Sequence, residues 1–151
     1  MTGQPTQLRG SRHDRIMIRR AGRSDVHAIA ELWEVAGLPP SRRGFRNEIA
    51  RLRRRDPELL LTAYADGRLV GAIAGSYDGR TTVVSRLAVV SDARRRGVGR
   101  KLVEALCEQL TSLGAGADRL LVLDDRETAD AFWSALGFTR GATTPVFVRG
   151  G

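Results

Sequence analysis

The chain has 151 residues, 42% of them hydrophobic and 28% charged, which suits one folded domain around a single core. Its net charge of +8 comes almost entirely from arginine, Lys101 being the only lysine, and such a balance points to nucleic acid, an acidic partner or a phosphorylated ligand. No apolar run approaches the roughly 20 residues that cross a bilayer, the single cysteine rules out an intrachain disulfide, and two histidines without a partner at ligand spacing leave no metal expected.

In chain order, residues 1–14 are polar and lack the apolar stretch of a signal peptide, so a disordered tail, a cytoplasmic protein and a domain over 15–151 are expected. Ile16 to Arg20 is a candidate strand. Ser24 or Asp25 caps a helix running to about Ala36, with Val26, Ile29, Ala30 and Trp33 on one face, and Gly37 with Pro39-Pro40 stops it. A second helix is expected from about Ser41 to Arg55, narrow in its apolar face (Phe45, Ile49, Leu52) and carrying seven arginines. Strand-like runs at Leu59–Ala65, Leu69–Ser76 and Thr81–Val90 are joined by Asp66-Gly67 and Asp78-Gly79, which read as two tight turns in an antiparallel meander.

The period then changes. Val98, Leu102, Leu106, Leu110 and Leu113 recur at helical spacing, with Cys107 in the same apolar surroundings, and Gly114 and Gly116 end the helix. Leu120 to Leu123 is continuously apolar, as in a strand buried on both faces, so a parallel crossover lies beside the meander. Thr128 to Leu136 predicts a last short helix, and Gly137-Phe138 leads into a final strand pair ending near Val148. The fold class is α/β with a mixed sheet.

The segment from Leu87 to Gly99, LAVVSDARRRGVG, carries the chemistry. A strand runs through a short loop onto a helix whose first-turn N–H groups have no internal acceptor and whose dipole is positive there. Glycine lets a phosphate approach the backbone, and arginines add charge-assisted hydrogen bonds. By itself Arg94-x-x-Gly97-x-Gly99 leaves two readings open: a seat for a diphosphate, or a tight start to a helix among solvated arginines. Neither a G-x-x-x-x-G-K-[ST] nor a G-x-G-x-x-G after the first strand is present.

The segment resembles motif A of the GNAT acetyltransferase superfamily, and Ala129-Asp130-Ala131-Phe132-Trp133-Ser134-Ala135-Leu136-Gly137-Phe138 resembles the second signature of that family. The order of elements agrees from Ile16 to Val148. The resemblance implies a GNAT-like fold, with an antiparallel N-terminal meander, a parallel crossover at the motif A helix and a splayed central sheet. It implies acetyl transfer from acetyl-CoA to a primary amine on a small molecule, a protein N-terminus or a lysine. The alternative is an acyl-CoA-binding regulatory domain with little catalysis. A homodimer fits the resemblance, while a membrane or nucleic acid is not the expected partner.

Carried over residue by residue, Leu87, Ala88 and Val89 pair with the pantetheine arm, and Arg94, Arg95, Arg96, Gly97, Val98, Gly99 and Arg100 hold the diphosphate. Two positions depart from the family pattern. Trp133 stands where a tyrosine commonly protonates the leaving thiolate; its indole N–H donates a hydrogen bond but no proton in this pH range. Arg126 stands where an asparagine commonly contacts the cofactor. The run Leu120–Leu123 also lacks the glutamate base of some members. Candidate substitutes are Tyr77 and Ser134 as acids and Asp124 or Asp125 as base. The arginines of the second helix either favour an acidic acceptor or form a solvated face.

Overall fold

The computed structural model describes residues 15–116, 120–124, 126, 129–141 and 147–150. Strands β1 (Met17–Arg20), β2 (Leu60–Ala65), β3 (Arg68–Tyr77), β4 (Thr82–Val89) and β5 (Leu121–Val122) form one sheet in sequence order. The first four are antiparallel, and β4 and β5 are parallel. Helices α1 (Val26–Val35) and α2 (Phe45–Arg55) precede β2; α3 (Val98–Ser112) is the crossover between β4 and β5; α4 (Ala129–Ala135) follows. The mixed α/β class with one parallel crossover is the fold that the pattern predicts.

Strand alternation sorts the core into two layers. Leu61, Val70, Ile73, Val84 and Leu87 join Val98, Leu102, Leu106 and Leu110 of α3 in one cluster. Leu60, Ala72, Ala74 and Ala88 join Ile29, Leu32, Trp33 and Ile49 in the other, so small alanines meet the two N-terminal helices. On the α3 side the close approach falls at Gly71, where a Cβ would stand 3.0 Å from both Leu102 and Val98. Asp66-Gly67 forms a hairpin turn with φ of 52° and 75°. In the second turn the Asp78 carboxylate accepts the N–H groups of Arg80 and Thr81.

Three expectations need correction. α2 begins at Phe45 rather than Ser41: Gly44 has φ 88°, outside the helical region, and a turn closes between Ser41 and Gly44 (3.0 Å). β5 is a two-residue strand, and Leu120 to Leu123 is not buried on both faces; Leu123 is 67% exposed. Its one ladder partner among the described residues is β4, so its outer side lacks a cover there. The closing strand pair is not found in 138–141 or 147–150, where Phe147 and Val148 are exposed; residues 142–146 lie outside the described residues. Phe138 instead folds back onto Trp133, ring centroids 5.1 Å apart. Among the described residues no helix is long and apolar enough to cross a membrane.

Candidate active site

After β4 the chain makes one 3-10 turn, Ser91–Ala93, with Ala93 fully buried as its anchor. Arg94, Arg95 and Arg96 follow, all exposed, and Gly97 leads into α3. Arg95 has φ 68° and Gly97 φ 79°, two residues of positive φ within three positions. The first intrahelical bond runs from the Lys101 N–H to the Gly97 carbonyl (3.0 Å), so the amides of Val98, Gly99 and Arg100 precede the ladder, and no side chain caps the helix. A Cβ built on Gly97 meets nothing within 4 Å. Around the Gly97 Cβ position the space is open among the described residues.

Gly99 is different. A Cβ there would stand 2.8 and 2.9 Å from the Phe132 ring, so this glycine is bare because α4 packs on it. The expectation that both glycines clear room for phosphate is therefore corrected at Gly99, whose missing side chain is accounted for by Phe132.

The second feature is the inner edge of β4. The Val90 N–H donates to the Val70 carbonyl (2.8 Å), and the Ala88 carbonyl lies beside Gly71, so the peptide groups of Ala88 and Val90 face β3. By alternation those of Leu87 and Val89 face the β5 side. β5 reaches only Val83 and Val84, ending with the Leu123 N–H on the Val84 carbonyl (3.0 Å). Beyond that point the strands part, and the edge at Leu87 and Val89 has no strand beside it among the described residues. In a regular strand Val84 and Leu87, three apart, would face opposite ways. A bulge at Ser85, which has no register partner in β3, turns both toward β5.

Across this gap lies a cluster built by the β5 to α4 segment. Asp124 accepts Arg126 Nε (2.8 Å) and Nη2 (2.7 Å) in a fork, and the Trp133 indole N–H (3.1 Å). Arg126 Nη2 also donates to the Leu87 carbonyl (2.8 Å). The Asp124 side chain is 8% exposed. Burial alone would raise its carboxyl, but the hydrogen bonds from Arg126 and Trp133 outweigh it and hold Asp124 below the usual carboxylate range.

The structure thus brings together Leu87, Arg126, Asp124 and Trp133 in one hydrogen-bonded cluster, with Val89 on the same edge of β4, and Arg94–Arg96 and Gly97 in the loop that follows that strand. Ala88 is present but turns its peptide away. Asp124 is not an available base, because its oxygens are committed to two donors. Tyr77 is not brought in: it pairs with Thr82, five residues before Leu87 on β4, roughly 16 Å along the strand. Ser134 is exposed on α4, whereas its neighbour Trp133 is buried. Asp125 lies outside the described residues. Glu48, unremarked in the sequence, forms a bidentate pair with Arg86 of β4 (2.9 Å for each bond), whose guanidinium lies against the rings of both Trp33 and Phe45. The Ser85 bulge was missed as well; Gly75 inside an apolar run is the signal that points to it.

Comparison with known proteins points to one family and fold. A family model described as the acetyltransferase (GNAT) family matches residues 26–138. An acetyltransferase of Pectobacterium atrosepticum is 30% identical over 121 residues, which is 80% of this chain and 86% of that protein. The crystal structure of Ard1 from Thermoplasma volcanium superposes with a TM-score of 0.69 at 25% identity, covering 84% of each chain. AAC(6')-Iy in complex with a CoA-containing bisubstrate analog has the same fold, with a TM-score of 0.73 at 17% identity over 89% of this chain and 98% of that one.

Proposed function

This chain belongs to the acetyltransferase (GNAT) family, and on that premise we propose that it moves an acetyl group from acetyl-CoA directly to a primary amine on a small molecule, a protein N-terminus or a lysine. The observation that carries the proposal is the β4 edge at Leu87 and Val89, which has no strand beside it among the described residues and runs on toward the helix start at Gly97. An extended, amide-bearing arm pairs with such an edge as an added strand would. Its diphosphate then falls at the first-turn amides of α3 under Arg94, Arg95, Arg96 and Arg100.

Acetyl-CoA supplies a thioester, whose thiol has an intrinsic pKa near ~8.5 and leaves without a dedicated acid. The chain's own contribution is positioning: it lines up the donor along β4, and backbone N–H groups of that edge stabilise charge on the thioester oxygen. Neither Trp133, tied to Asp124, nor the distant Tyr77 is placed to protonate the thiolate. No observation favours the non-catalytic alternative.

The test pairs two substitutions at Gly97. Since φ is 79° there, any side chain is strained, so Gly97→Asn, which tolerates that conformation, controls for the backbone. Gly97→Glu fills the phosphate space with a like charge. We expect calorimetry to show coenzyme A binding in wild type and Gly97→Asn and none in Gly97→Glu, with thiol release over an amine panel following the same order. Equal binding by all three would remove the diphosphate seat from Gly97.

A further inference from the structure

We propose that Arg126 is a strap across the donor gap: its guanidinium takes the Leu87 carbonyl that the donor's arm must use, and donor binding displaces it. The inference rests on the assignment of the β4 edge to the donor. Three observations carry it. Leu87 lies between Val89, nearer the α3 start, and Val84, where β5 closes the gap, so an arm running inward from Gly97 passes it. Arg126 Nη2 sits 2.8 Å from that carbonyl, on the line such an arm follows. The guanidinium is also fixed from behind by the Asp124 fork, itself braced by Trp133.

The geometry sets how firmly the strap holds. Nη2 has two protons, one directed at Asp124 Oδ2 (2.7 Å) and the other at Leu87. Opening therefore breaks the charged hydrogen bond to Leu87, while the Asp124 fork can be retained. The donor meets a site that is only fractionally open, and its apparent affinity is lowered by that fraction. Arg126 is in this sense a positioning residue that sets donor affinity, and Trp133 acts through Asp124 to keep it aimed.

The test measures coenzyme A binding to the full chain by calorimetry and stopped-flow. Arg126→Ala should bind about tenfold more tightly than wild type, with the gain in the association rate and the dissociation rate unchanged. Because that variant leaves a buried carboxylate behind, the double variant Asp124→Asn with Arg126→Ala is measured beside it and should show the same gain. Arg126→Lys keeps the charge but loses the fork, and should fall between wild type and Arg126→Ala. Unchanged or weaker binding in both Arg126→Ala and the double variant would overturn the strap while leaving the donor gap in place. Absence of coenzyme A binding in wild type and every variant would overturn the donor assignment, and the strap with it.

Discussion

Gly97 and Gly99 look alike in the sequence and do opposite work. Gly97 borders open space at a left-handed φ, whereas Gly99 is buried under the Phe132 ring. Gly99→Ala should therefore destabilise the fold by about 1–3 kcal/mol, since a Cβ at 2.8 Å forces the ring to move. Adding Phe132→Leu should recover most of that loss in urea titrations; no recovery would place the clash elsewhere. Asp124 gives a second prediction at this scale. Its folded pKa lies below the unfolded value near ~3.9, so its contribution to stability is complete above that value and drains as pH falls through the folded one. Wild type should exceed Asp124→Asn in stability by about 2 kcal/mol at neutral pH, with the difference shrinking below pH ~4. A gap in Tm independent of pH would contradict the ionised fork.

Among the elements, α2 shows how composition misleads. Its arginines read as a charged face, yet its one part-buried ionic contact with the sheet is made by Glu48, which grips Arg86 of β4 while the guanidinium lies against Trp33 and Phe45. The side chains are 18% and 13% exposed, so removing one partner leaves a poorly hydrated charge. Glu48→Ala should cost about 2–3 kcal/mol by chemical denaturation, below the full cost of breaking a completely buried pair. Replacing both partners with apolar residues should cost less than either single change; additive losses would show that the two charges do not interact. At this scale the helix periods, both Asp-Gly turns and the meander were legible because each is local. The start of α2 and the exposure of β5 were not, since they depend on a turn at Gly44 and on what lies beside an edge strand.

For the whole molecule, the reading above asks the gap for positioning, and among the described residues neither Trp133 nor Tyr77 supplies it with an acid. The rate should therefore rise with pH as the amine acceptor loses its proton, and show no falling limb between pH ~8 and ~10 that a protein acid would produce. A falling limb removed by Tyr77→Phe would restore Tyr77 as an acid. Trp133 fits the same picture: it is a core aromatic that faces Phe132 and Phe138, and its one polar atom braces Asp124.

The sequence by itself determined the mixed α/β class, the order of elements and the arginine-flanked helix start, because hydrophobic period, turn residues and a motif of six positions are all short-range properties. Tertiary structure alone decided which peptide groups of β4 face the gap, why Gly99 is bare, and that Asp124, Arg126 and Trp133 form one cluster. Those facts depend on a one-residue bulge that reverses strand facing and on contacts between residues 39 positions apart, such as Arg126 and Leu87. Gly75 hints at the bulge, but no local pattern encodes which way it turns the strand or which distant residues meet.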